Sequence, residues 1–252
     1  MITIKNRASI AKMEEAGAIL SNLFVELQPL VQAGVTTANI DRWLEEQIKQ
    51  RGLVSRMKGY MGYRHVSCIS VNNEVVHGVP SDRVLHKGDM LTVDVCVSFK
   101  GYCADMARVF FIGTVPEHVK KFVEVAEQSL FAGIAACVPG NRLGDVSAAI
   151  QAIIENAGFG IVRDFAGHGI GKQMHEDPEV LNYGLSGQGP ILREGMAFAI
   201  EPMITMGKDA VYIAEDDWTV CTEDGSLAAH VEDTIVITSN GPKNITRNRS
   251  DR

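Results

Sequence analysis

Five residues of this chain have the chemistry of metal ligands: Asp94, Asp105, His168, Glu201 and Glu232. They stand in Thr-Val-Asp94-Val, Cys-Ala-Asp105-Met, Gly-His168-Gly-Ile-Gly, Ile-Glu201-Pro-Met and His-Val-Glu232-Asp-Thr. Four are carboxylates and one is an imidazole. Uncompensated buried carboxylates are costly, so a cluster of four needs cations. Two divalent ions sharing two bridging carboxylates would neutralise it and make a water nucleophilic at neutral pH. The donor set suits Mn, Fe, Co or Zn. No single context is strong alone; order, contexts and spacing together are specific.

The elements that must position these groups follow from periodicity. Ile10, Met13, Gly17, Leu20, Phe24, Leu27 and Val31 recur at helical spacing, which predicts a helix over about 7 to 32 with Asn6 as N-cap. A second helix is expected over about 38 to 51, ending at Gly52. Then the period changes to strands at Val66 to Val71, Met90 to Phe99 and Tyr102 to Ile112. Helices are expected over about 116 to 137 and 144 to 157. Strands follow at 161–163, 196–202, 209–214, 218–222 and 228–238, with a polar tail after about Ile245. Segregated helices and strands indicate an α+β chain with mixed or antiparallel sheets. The order reads as two similar halves joined near 113–116.

The hairpin carries a register expectation. A two-residue loop at Phe99-Lys100 sets Asp94 opposite Asp105 and Cys96 opposite Cys103. A bulge at Gly101 would shift that register.

Composition sets bounds. The chain has 252 residues, 46% of them hydrophobic and 22% charged, with a net charge of −7. This is ordinary globular composition, and the acidic balance argues against a nucleic-acid surface. No apolar run approaches a membrane span or a signal-peptide core. Five cysteines without a Cys-x-x-Cys pattern read as reduced thiols in the cytoplasm.

Other residues are candidates by context. His168 is framed by glycines that let backbone crowd a ligand, and His175 follows seven residues later. His175-Glu176-Asp177-Pro178-Glu179 lacks the second histidine of a zincin motif, so that reading is rejected. His77 lies in a turn-rich loop, which suits an active-site wall or a plain surface loop. Asp233 reads as a solvated face residue.

Cys68-Ile-Ser-Val-Asn-Asn-Glu-Val-Val-His77-Gly-Val-Pro80, Gly167-His168-Gly-Ile-Gly171 with His175-Glu-Asp-Pro178, Ile200-Glu201-Pro-Met203, and Trp218-Thr-Val with Ser226-Leu resemble type I methionine aminopeptidases. The resemblance spans roughly residues 4 to 245 and is to the short bacterial form. It implies the pita-bread, creatinase/aminopeptidase-like fold: two pseudo-symmetric halves, about 1-114 and 115-252, forming one catalytic unit. It implies that Asp94 chelates one ion, Asp105 and Glu232 bridge both, and His168 and Glu201 hold the other. It gives His77 the scissile amide nitrogen, His175 the developing oxyanion, and Glu201 the proton shuttle. Tyr60, Tyr63, Cys68 and Trp218 would line the methionine pocket. The implied partners are peptide and nascent-protein N-termini, with transient ribosome contact and no stable subunit partner.

Several positions depart from the family pattern. Met61 replaces a usual histidine and Met174 a usual aromatic, both in the implied substrate pocket. Met106 and Cys96 replace threonines, and Asp233 a histidine. The expectation is a more plastic pocket with relaxed preference among apolar first residues. Two rivals are a proline-directed peptidase of the same fold and a non-catalytic peptide-binding protein. The first usually carries an extra N-terminal domain, and the second usually loses ligands.

Overall fold

The computed structural model describes residues 1–247. Part of the polar tail expected after Ile245 therefore lies outside the described residues. Four helices span Arg7–Leu27, Thr37–Gln50, Glu117–Ala136 and Leu143–Asn156. The first two start where side chains satisfy free N–H groups. Asn6 accepts from the Ser9 N–H at 2.9 Å, and Thr36 accepts from the Asn39 N–H at 3.2 Å. The first helix stops earlier than its apolar spacing suggested, because Pro29 lies in a short 3-10 turn at Gln28–Leu30.

A nine-stranded sheet forms the centre. Its main path runs Val54–Ser55, Met90–Phe99, Tyr102–Phe111, Glu232–Thr238, Ala197–Ile200, Gly167–Gly169 and Glu176–Val180. Cys68–Val71 pairs with Met90–Phe99, and Gly241–Asn244 pairs with Glu232–Thr238. All these pairings are antiparallel. Two three-stranded sheets flank it. One joins Ala228–His230, Met203–Thr205 and Gly160–Ile161; the other joins Val211–Ile213, Val220–Thr222 and Glu74–Val76.

Each helix pair covers its own apolar cluster. Leu20, Leu23, Leu27 and Leu44 pack with Val93, Val95 and Val97. Phe122, Leu130, Ile150 and Ile154 pack with Phe198, Ile200 and Ile235. Along Met90–Phe99 the odd residues enter the first cluster. Asp94 and Cys96 point to the opposite face, where Cys96 joins a third buried group with Cys68 and Met174. The strand alternates accordingly, with Leu91, Val93, Val95 and Val97 on the cluster face and Thr92, Asp94, Cys96 and Ser98 on the other.

The hairpin register differs from the sequence expectation. Lys100 and Gly101, with φ of 50° and 79°, form the two-residue turn, and Phe99 faces Tyr102. Two successive left-handed residues are the twist-matched hairpin geometry, and the glycine takes that conformation without strain. Asp94 therefore faces Ala107, Cys96 faces Asp105, and Ser98 faces Cys103. The expected pairings of Asp94 with Asp105 and of Cys96 with Cys103 are both wrong. The shift is two residues, so the side chains keep their faces. Both expected pairs become diagonal neighbours, and Cys96 and Cys103 still touch through their thiols. All five cysteines are buried free thiols.

Asp233 is not a solvated residue. It is fully buried and paired with Arg108 at 2.5 Å and Arg247 at 2.7 Å, while Thr246 donates to it at 2.8 Å. Burial pushes its carboxyl up, but the two guanidiniums outweigh burial and hold it below the ordinary range. Removing one partner from a buried ion pair typically costs about 3–5 kcal/mol. The arginine side chains keep 15% and 13% exposure, so Asp233→Asn should cost nearer ~3 kcal/mol in urea unfolding. The sign with pH follows from the depressed folded value. The difference between wild type and variant should be full above the ordinary carboxyl value of 3.8 and shrink as pH falls below it.

Candidate metal and peptide site

Five adjacent sheet segments each contribute one candidate ligand. Asp94 comes from Met90–Phe99, Asp105 from Tyr102–Phe111, and Glu232 opens Glu232–Thr238. Glu201 directly follows Ala197–Ile200, and His168 is the middle residue of Gly167–Gly169. The register fixes their heights: Glu232 faces Ala107, Asp233 faces Ile200, and His168 faces Ala199. Thr234 locks the central pair by accepting from the Asp105 N–H and donating to the Asp105 carbonyl, each at 2.9 Å. A side chain at Gly169 would collide with the Asp177 carbonyl at 2.1 Å. Glycine there lets a neighbouring strand close over His168.

The ligand atoms of Asp105, His168 and Glu232 all lie within 4.8 Å of one another. His168 Nδ1 donates to the Gly169 carbonyl at 2.9 Å, which leaves Nε2 as the acceptor. That Nε2 stands 3.8 Å from Asp105 Oδ2 and 3.7 Å from Glu201 Oε1. Burial pushes the Asp105, Glu201 and Glu232 carboxyls far up, and their mutual repulsion together with Asp94 pushes them further. Burial, with His175 nearby, drops His168 to about 4. Glu232 Oε1 is buried with no hydrogen-bond partner. Acids that cannot ionise together, an imidazole kept neutral and a bare buried oxygen are the donor set of a divalent cation. The residues present fit such ions.

One cavity is bounded by all five candidate ligands and by the other candidates, His77, Tyr60, Met61, Tyr63, Cys68, Met174, His175 and Trp218. His175 packs edge-on to His168 with ring centres 4.4 Å apart, and its Nδ1 meets the Tyr60 hydroxyl at 3.1 Å. Burial lowers both His175 and His77. His77 has φ of 59° and stands edge-on to Phe165. Tyr63 donates to the Ser67 carbonyl and lies against Trp218 with ring centres 4.8 Å apart. Cys68 faces Asp94 across the strands, and burial raises its thiol, so it presents neutral sulfur. Met174 is buried, whereas Met61 is 81% exposed with φ of 48° and sits at the mouth.

Two residues of the cavity region escaped sequence reasoning. Met57 lines the wall, and its sulfur accepts from the Cys96 N–H at 3.4 Å. His230 is fully buried, with Nε2 at 3.7 Å from Asp94 Oδ2. Its signal was its place two residues before Glu232, which sets both on one face of an extended segment.

The sequence model of metallopeptidase family M24 matches residues 11–239. A methionine aminopeptidase of Clostridium acetobutylicum is 48% identical over 247 residues, covering 98% of this chain and 99% of that protein. Methionine aminopeptidase 1 of Bacillus subtilis is 41% identical over 247 residues, covering 98% of this chain and 100% of that protein. The crystal structure of a Thermotoga maritima methionine aminopeptidase superposes with a TM-score of 0.96 at 41% identity, covering 98% of this chain and 100% of that one. A Pyrococcus horikoshii prolidase superposes at 0.78 with 23% identity. That match covers 98% of this chain and 64% of the prolidase, and it is a likeness of fold.

The charge argument gives a prediction with opposite signs in two states. Without metal, Glu232→Gln removes one repelling acid and should raise the thermal midpoint. With Mn(II), the wild type should gain about 2.7 kcal/mol at a hundredfold excess over the dissociation constant, and the variant much less. Differential scanning fluorimetry with chelator and with Mn(II) reads both changes.

Proposed function

The chain belongs to metallopeptidase family M24, and we propose that its central cavity hydrolyses the first peptide bond of chains that begin with methionine. The protein is a metallo-aminopeptidase, its architecture is the pita-bread fold, and its activity is removal of N-terminal methionine. The observation that carries the site assignment is the convergence of one donor from each of five neighbouring segments on a cavity with an apolar end. We read residues 1–252 as one catalytic unit with halves about 1–114 and 115–252. The two helix pairs, each over its own apolar cluster, support that reading.

In this reading Asp94, Asp105, His168, Glu201 and Glu232 would hold two divalent ions. When bound, the ions supply the positive charge that lets the acids ionise together, and they acidify a water. The protein's own groups do the rest. Glu201, partly buried beside His168, takes the proton of the attacking water and passes it to the leaving amine. Tyr60 holds the His175 ring, and a proton on its free nitrogen stabilises the carbonyl oxygen as charge builds there. His77 meets the scissile amide nitrogen. Tyr63, Trp218, Cys68 and Met174 enclose an unbranched apolar side chain, with sulfur against sulfur. The free α-amine of the substrate lies near Asp94, so cleavage stops after one residue.

No described helix is long and apolar enough to cross a membrane. We read the protein as a cytoplasmic monomer that meets nascent chains through transient ribosome contact, because initiator methionine is exposed there first.

Glu201→Gln should retain the fold and lose turnover by ~10² or more, the scale of a lost general base. His77→Ala and His175→Ala should lower kcat with metal content intact, as measured by elemental analysis. Wild-type rates in any of these would remove that residue from the scheme. A panel of Met-Ala, Met-Val, Leu-Ala and Ala-Pro peptides separates methionine removal from proline-directed cleavage and from mere binding.

Burial divides the two methionines at the pocket. Met174→Phe should sharpen Met over Leu, within the ~1–3 kcal/mol that one methylene contributes. Met61→His, at the exposed mouth, should leave that ratio unchanged and alter only dependence on later residues. Equal effects of both on the ratio would mean that Met61 also walls the first-residue pocket.

A further inference from the structure

We infer that His230 is a sixth protein ligand of the metal site, held against the ion on the Asp94 side. This rests on the reading of the site as a divalent-metal centre.

His230 is fully buried at the end of Ala228–His230, and two neighbouring elements fix it. Its carbonyl accepts from Thr92 Oγ at 3.3 Å, two residues before Asp94 on the same strand. Its Nδ1 lies 2.7 Å from the Val75 carbonyl. A carbonyl only accepts, so Nδ1 is the donor there and Nε2 is the ring position left to offer a lone pair. That Nε2 is buried and has no hydrogen-bond partner. Its ion-pairing neighbour is Asp94 Oδ2 at 3.7 Å, which when ionised also offers only lone pairs. Two acceptors facing each other, one fully buried and one 16% exposed at the cavity wall, want a cation between them. Ligand bonds of about 2.0–2.2 Å, at angles between tetrahedral and ~130°, set two ligand atoms roughly 3.3–4.0 Å apart.

His168 shows the same construction on the other side of the cluster. Its Nδ1 is tied to a backbone carbonyl, and its Nε2 stands 3.7 Å from the nearer carboxylate oxygen. The site thus has two imidazoles, each with its tautomer set by backbone and each facing a different acid. Imidazole suits cobalt, iron and zinc better than manganese or magnesium, so His230 biases the Asp94 side toward the softer ions.

X-ray absorption at the cobalt edge tests this, with two equivalents of Co(II) added to metal-free protein. Imidazole scattering should amount to one ring per cobalt in the wild type, and to half a ring in His230→Asn. The asparagine amide can keep the Val75 contact while lacking the Nε2 position. Titration should show one of the two Co(II) ions weakened by at least the 10–100-fold typical of lost outer-shell support, with Mn(II) affected less. Half a ring per cobalt in the wild type overturns the inference, whether or not the variant folds. His168→Asn separates the two levels: if the wild type binds no cobalt, or that substitution leaves the ring count unchanged, the metal reading itself fails.

Discussion

Four carboxylates crowded into one mostly buried cavity are the constraint on which this structure depends. Asp105 and Glu232 are buried and Glu201 is partly buried, and each is pushed toward its neutral form by desolvation and by its neighbours. A protein without a cation would have no reason to gather them, since each would be a net cost. The sheet brings them together anyway, by antiparallel pairing whose registers leave little freedom. Thr234 bridges the centre, and the glycines around His168 allow strands to approach more closely than side chains would permit. The stability of the surroundings must therefore exceed the repulsion they contain.

Part of that stability sits one residue from the centre. Asp233 shares a strand with Glu232 but points into a different environment, between Arg108 and Arg247. Arg108 also donates to the Glu232 carbonyl at 2.6 Å, and Arg247 lies over the Phe131 ring. Adjacent acids thus have opposite electrostatics: Glu232 is raised by its neighbours, whereas Asp233 is lowered by its guanidiniums. The second arrangement anchors the backbone that carries the first.

Much of this was legible in the residues. The strongly periodic helices and the long hairpin strands announced themselves, because burial on one stripe or on both faces leaves a pattern. The five candidate donors were legible as acids and an imidazole set among apolar neighbours. The hairpin register was misread, because Phe99 was given the turn position that Gly101, with its left-handed backbone, occupies. Gly167–Gly169 and Glu176–Val180 were missed as strands for a related reason: one is mostly glycine, and the other carries acids and Pro178. Their strand character comes from pairing with neighbours, not from their own propensity. Met61 and Met174 look alike in the sequence, and only their burial separates a pocket wall from a rim.

The one-donor-per-segment arrangement also constrains how the protein comes to exist. Asp94 and Glu232 are separated by more than half of the chain, and only Asp94 and Asp105, on one hairpin, lie close in sequence. A zinc-finger type of domain gathers its ligands from nearby residues, so the ion can organise folding from the start. Here the donors converge only after the long-range pairings close, which is the slow step for a topology of high contact order. Metal capture therefore belongs at the end of folding. It selects chains whose sheet is already complete.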